Sequence, residues 1–393
     1  MAIFLLDDPS LHLQLLPLTA TKAIAALPIG IGTIQDAWQL ALGENTYVHT
    51  VDYLQPLYHL PTYDATAEHT YINATYLPDH NLVTAINALR QNEVLLGNNA
   101  AEIIAYKASA PTNNIASFLY QTVTSFTVRQ IQYCWHLFQY NDWMIRTQFQ
   151  LLTSNQTTAA IHPSNTIIGD ASQLFIAAGA EVYASNINTT SGPVYIGKNA
   201  LVMEGCNIRG PLVLGEHAVL KMGAKVYGAT SIGAYSSAGG EIKNVVLGAY
   251  SNKAHDGYLG DAVIGSWCNL GAGTTNSNVK NAASVVAMYN YATQSPMPVA
   301  QKAGLIMGDY SRAAINSAFN TGTVVGVCAN YFQSGLSPAW IPDFSWGGTA
   351  AQLYVFDKAV ADINRWMAWK QQQLSTAQIA VLQQLYEALP YGK

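Results

Sequence analysis

The chain has 393 residues, a net charge of −5 and only 10% charged side chains. That length exceeds one ordinary hydrophobic core, so two domains plus an appendage are expected, and the lack of a basic excess excludes nucleic acid as a partner. The four cysteines (Cys134, Cys206, Cys268, Cys328) are too far apart for a metal-type spacing, which suits a reduced, cytoplasmic protein.

Residues 1–155 read as a mixed α/β domain. Residues 2–6 form a buried-strand candidate that runs straight into Asp7-Asp8, so no signal peptide is expected. Residues 35–42 and 83–89 carry helical spacing, and 94–96 and 103–106 read as strands.

From residue 156 to 348 the pattern changes. Ile196, Val202, Ile208, Leu214, Leu220, Val226 and Ile232 fall at six-residue steps, with small residues four further on, such as Ala200, Cys206, Ala218 and Ala224. A helix has no reason to keep that beat, whereas an even step returns a strand residue to the same face. The expected structure is a parallel β-helix, each hexapeptide giving one short strand and one turn. Cys206 then fills a packing slot. The beat starts near Ile168, breaks at a polar insert over 186–190, and slips after Ile232, where 235–240 is expected to hold extra residues. It resumes at Ile264 and Leu270. Residues 313–342 are uncharged, but Asn316, Asn320, Asn330 and Gln333 argue for a solenoid coil rather than a membrane span. The tail, 349–393, returns to helical spacing: Leu353, Phe356, Val360, Ile363 and Met367, then a second run over 378–389. Trp366 and Trp369 read as packing residues.

The second break is followed by Ser251-Asn252-Lys253-Ala254-His255-Asp256-Gly257-Tyr258-Leu259-Gly260-Asp261 and Asn269-Leu270-Gly271-Ala272-Gly273-Thr274. Here the chain resembles the hexapeptide-repeat acyltransferases, and most specifically the bifunctional N-acetylglucosamine-1-phosphate uridyltransferase/glucosamine-1-phosphate acetyltransferase family, in a variant with a short N-terminal half. The resemblance implies an α/β nucleotidyltransferase-like domain, a left-handed β-helix and a helical tail, assembled as a homotrimer. It also implies acetyl transfer from acetyl-CoA to an amino-sugar 1-phosphate. His255 would be the general base, since an imidazole can take a proton at physiological pH, with Glu241 supporting it. Lys221, Lys243, Tyr258 and Asn269 would line the sugar-phosphate pocket, and Ala272, Asn278 and Lys280 the acyl-donor site. Backbone N–H groups around Gly271-Ala272-Gly273 could face the developing oxyanion. Lys221 stands where better-known members carry Arg, which keeps the charge but loses the bidentate fork.

For the first half the resemblance implies Mg²⁺-dependent joining of a nucleoside triphosphate to a sugar 1-phosphate. Asp7 and Asp8 are the candidate Mg²⁺ ligands, with capping of the strand end as the alternative. Leu15-Leu16-Pro17-Leu18-Thr19 and Lys22 match the variant family, but His12 and Pro28 replace two arginines and Asn73 replaces a metal-binding acid. Efficient uridyl transfer is therefore not expected. Two other readings stay open: an active nucleotidyltransferase with a structural β-helix, and an assembly protein without activity.

Overall fold

The computed structural model describes residues 2–62, 67–97, 102–112, 118–122, 126–350 and 352–390. Its N-terminal domain is built on a mixed six-stranded sheet. The strand order is Thr46–His49, Ile3–Leu6, His69–Asn73, Ile103–Ala108, Glu93–Leu96, Leu119–Thr122. Helices α1 (Pro9–Gln14), α2 (Ile34–Leu42) and α3 (His80–Asn87) follow the first, first and third of the chain's leading strands. Local signals set their ends. Asp8 caps α1 by accepting from the Ser10 and Leu11 N–H groups. Thr33 and Asp36 form a capping box on α2, which stops at Gly43 with φ 70°. Trp38 of α2 is fully buried, and its indole N–H donates to the Tyr76 carbonyl at 3.0 Å.

The second unit is a parallel β-solenoid with three short strands per coil, one face being a nine-stranded sheet. The seven aliphatic residues of the six-residue beat all point into one interior column and are at most 3% exposed. Two details differ from the sequence expectation. Asn186–Asn188 is not a break but a strand in register with Asn207–Arg209; the irregularity is the longer corner that follows it. After Ile232 the coil loses residues instead of gaining them. Ile232 pairs with Leu247, fifteen residues on, where the preceding coils take eighteen.

One side of every coil keeps its length. Along it four rings stack on successive coils: His217 on Tyr235 at 4.8 Å, Tyr235 on Tyr250 at 4.9 Å and Tyr250 on Trp267 at 4.2 Å between centroids. All four residues have φ between 55° and 60°, a left-handed conformation that side chains with a Cβ adopt at some cost. Stacking of about 0.5–1.5 kcal/mol per pair offsets it.

A long helix, α4 (His136–Thr153), which the sequence pattern did not reveal, seals the N-terminal domain against the solenoid. Its Asn141 is fully buried: Oδ1 accepts from the Gly30 N–H at 2.8 Å, and Nδ2 donates to the Ala229 carbonyl at 3.0 Å. Substituting Asn141→Ala orphans both backbone groups, and urea unfolding should show a loss of about 2–4 kcal/mol. The hairpin Val286–Asn290/Ser295–Ala300, also not foreseen, leaves the solenoid and joins the same apolar cluster through Val286 and Met288. In the tail, α5 (Phe356–Ala368) and α6 (Thr376–Glu387) close over Tyr310, Cys328 and Phe344. Leu353 packs there too, but ahead of α5. No described helix is long and apolar enough to cross a membrane.

Candidate functional site

The shortened coil shapes the candidate site. Elsewhere four residues turn this corner, as in 221–224 or 254–257, but between Ala238 and Glu241 only Gly239 and Gly240 do so. The chain cuts across, and the coils above and below close on it. A Cβ on Gly239 would lie 2.3 Å from the Ala254 carbonyl oxygen, and one on Gly240 would lie 2.8 Å from the carbonyl oxygens of His255 and Gly257. Gly240 also has φ 74°. Gly240→Ala is therefore expected to cost about 2 kcal/mol or more in a thermal melt and to push the His255 corner outward.

His255 is exposed at the rim of this notch. Beneath it Lys253 occupies an inward slot that other coils fill with Val202, Leu220 or Leu270. Lys253 is 1% exposed, and its ammonium donates to the carbonyl oxygens of Gly239 at 3.1 Å and His255 at 2.5 Å. Burial lowers its pKa to about 8.

Around the corner, Lys225, Glu241 and Tyr258 stand in one register column, and Tyr227, Lys243 and Gly260 in the next. The Tyr227 hydroxyl donates to Glu241 Oε1 at 2.6 Å, and this bond is the main reason its pKa rises to about 12. Asp261 is the hub. It is 4% exposed, takes the Asn244 amide at 2.8 Å, faces the Lys243 ammonium at 3.4 Å and accepts a short bond from Asn278. Asn278 also donates to the Tyr258 hydroxyl at 2.9 Å. Burial, then the Asp261 charge, raises the Tyr258 pKa, so the phenol stays neutral.

Of the residues singled out from the sequence, His255 lies on the notch corner, Glu241, Lys243 and Tyr258 lie on the strands that leave it, and Asn278 lies with Asp261 at the bend that follows. Lys221 flanks the notch next to Gly239, and Ala272 turns the same corner one coil above His255. Asn269 lies on the adjoining face, accepting from Asn252 at 2.7 Å, and Lys280 bonds the Val285 carbonyl at 2.9 Å on the way to the hairpin. Among the described residues no hydrogen bond joins Glu241 to His255. Sequence reasoning missed Asp261, Lys253 and Tyr227. Asp261 could have been found, as it ends the quoted motif in a chain with few charges.

Both N-terminal carboxylates proposed as Mg²⁺ ligands make hydrogen bonds within the domain. Asp7 is buried and engaged by the Ile24 N–H, the Thr50 hydroxyl at 2.6 Å and His12 at 3.2 Å. Asp8 Oδ1 is the cap of α1. Among the described residues no cluster of three His, Cys, Asp or Glu side chains could hold an ion. A cavity of about 270 Å³ at the strand ends is lined by Asp8, Asn73, Tyr76, Glu102, Gln130 and Gln132, without a cation. Lys22, the one cation matching the phosphate cradle, is instead paired at 2.9 Å with Asp309 of the solenoid.

Residues 3–157 match the family of sugar nucleotidyl transferases. A stretch of 38 residues is 55% identical to the bifunctional protein GlmU of Synechococcus sp. (strain JA-3-3Ab) and equally to that of strain JA-2-3B'a(2-13). The match spans 10% of this chain and only 6% of each relative's length. Among solved structures, a UDP-N-acetylglucosamine acyltransferase from Campylobacter jejuni is 14% identical over 58% of this chain and 96% of its own, with a TM-score of 0.21. The polySia-specific acetyltransferase NeuO is 13% identical over 56% and 98%, with a TM-score of 0.22. These two likenesses are too distant to bear on this chain's chemistry.

Proposed function

We propose that the solenoid transfers acetyl from acetyl-CoA to the amine of an amino-sugar 1-phosphate, with His255 as general base. The observation that carries this reading is the notch at Gly239–Gly240 with an exposed imidazole on its rim, followed along the adjoining strands by a hydrogen-bonded Lys243–Asp261–Asn278–Tyr258 cluster in which Asp261 is buried. The local likeness to GlmU supports it. The amine nitrogen attacks the thioester carbonyl, a C–N bond forms, and the C–S bond breaks. His255 takes the proton released by nitrogen and returns it to the departing thiolate, so the imidazole ends as it began. Lys243, with Lys221 at the notch, supplies positive charge for the sugar phosphate. Asp261 and Asn278 hold Lys243 and Tyr258 in place, which is what keeps an acceptor in reacting geometry. The donor would run along the Ala272 corner, and the oligomer consistent with the resemblance is a trimer of left-handed prisms.

The N-terminal domain matches the sugar nucleotidyl transferase family, but the two arginines expected of a triphosphate cradle are replaced by His12 and Pro28. Three of its five Lys and Arg side chains are engaged elsewhere: Lys22 at Asp309, Arg129 over the Trp143 ring and Arg146 at Asp142. We assign it a supporting role, with nucleotidyl transfer not among the reactions proposed. Assaying the two reactions separately tests both statements. Acetylation of glucosamine 1-phosphate should be detected, and pyrophosphate release from UTP, Mg²⁺ and N-acetylglucosamine 1-phosphate should not. The reverse result would replace this reading with the nucleotidyltransferase one.

A further inference from the structure

Arg312 is a buried cation without a counter-charge. It sits on the solenoid face next to Asn269 on one side and Asn330 on the other, beneath helix α5. It is 8% exposed, its Nε has no hydrogen-bond partner, and no carboxylate pairs with it among the described residues. Its one ring contact is with Trp366, whose centroid lies 5.4 Å from the guanidinium carbon. Burial lowers its pKa, and Arg365 adds a second positive charge that lowers it further. The nearby acid, Asp362, is taken by Arg365 and by the Tyr354 hydroxyl, so it does not neutralise Arg312. A buried charge left in this state is expensive unless something pairs with it. Beside the two guanidiniums stands an aromatic pair, Trp366 and Trp369, with centroids 4.7 Å apart. Trp369 is 75% exposed, more than any other large apolar residue described.

We propose that Arg312, Arg365 and the Trp366–Trp369 pair form a binding site for the phosphate end of a nucleotide, at the junction of the solenoid and α5. The guanidiniums supply planar donors that suit phosphate oxygens. Trp369 offers a face on which a base can stack, an interaction that tolerates any base. Asn269 and Asn330 add amides one rung to either side. The packing role expected of the two tryptophans leaves the exposure of Trp369 unexplained. This assignment does not rest on the acetyl-transfer reading, and its test does not use that reaction.

Thermal shift and tryptophan emission of the full chain should be followed with ADP, inorganic phosphate and adenosine. ADP is expected to raise the melting temperature and quench emission, phosphate to bind more weakly, and adenosine to do neither. Arg312→Met should weaken ADP at least about tenfold. Arg365→Gln, on the surface and without risk to folding, should weaken it severalfold. Trp369→Ala should reduce ADP to the level of phosphate. Coenzyme A distinguishes the source: displacement of ADP makes the occupant the nucleotide end of an acyl donor, and no displacement makes it a separate nucleotide. Either result upholds the site. Absence of ADP binding at millimolar concentration, or equal binding to the parent and both arginine variants, overturns it. Equal affinity for ADP and phosphate overturns the nucleotide part.

Discussion

Acetyl transfer to glucosamine 1-phosphate should fall about 10²- to 10⁴-fold in His255→Ala, the range expected for loss of a positioned general base. The donor should still bind with unchanged affinity, because Ala272 and its corner do not depend on the imidazole. Added imidazole should restore part of the rate, since the notch at Gly239–Gly240 leaves the position open to a small base. Undiminished transfer in the variant would show that the proton leaves by another route. A loss of coenzyme binding equal to the loss of rate would instead indicate that the corner had collapsed.

Lys253 gives the second large effect. Its ammonium has a pKa lowered from 10.5 to about 8 by burial. Between those values the unfolded chain still holds a proton that the folded protein has released. Stability contributed at this position therefore rises with pH. The burial penalty is present in full below pH 8 and is gone above pH 10.5, a change of about 3 kcal/mol. In Lys253→Met the position cannot titrate. Urea unfolding of the two proteins at both ends of that window should show the parent gaining about 3 kcal/mol relative to the variant as pH rises. Parallel curves would mean that the ammonium reaches water.

The same residue explains where the sequence stopped being legible. The six-residue beat was readable because an inward aliphatic residue recurs through Ile232, and the structure places those residues in one column. It faded afterwards because the shortened coil sets Ile242 and Leu247 off the six-residue step and because one inward slot on the next coil holds Lys253. The shortened corner was then mistaken for an expanded one. The strands and the helix α2 were legible from buried runs and helical spacing. Helix α4 was not, since the inward stripe of Leu137, Phe138, Met144, Ile145 and Phe149 is interrupted by Asn141 and Gln148, which serve the backbone of neighbouring segments. Lys243 and Asn278 could be singled out from the sequence, but Asp261 as their common partner needed three coils to be stacked. The carboxylates Asp7 and Asp8 were read by position along the strand; Asp8's capping partners Ser10 and Leu11 are local, but Asp7's partners Ile24 and Thr50 are distant in sequence and could not be read.

The aromatic stack from His217 to Trp267 also limits how such a solenoid can change. A ring that must sit above another ring fixes the path between them, so insertion or deletion on that side would misalign every ring beyond it. Variation in length is left to the other corners, and it is there that the chain has both lost residues, at Gly239–Gly240, and gained them, in the hairpin after Asn278. Reactive groups therefore accumulate on the freely edited edge, while the stacked edge acts as a ruler. A foreign loop grafted at the hairpin should be tolerated, whereas one grafted between Tyr235 and Ser236 should not.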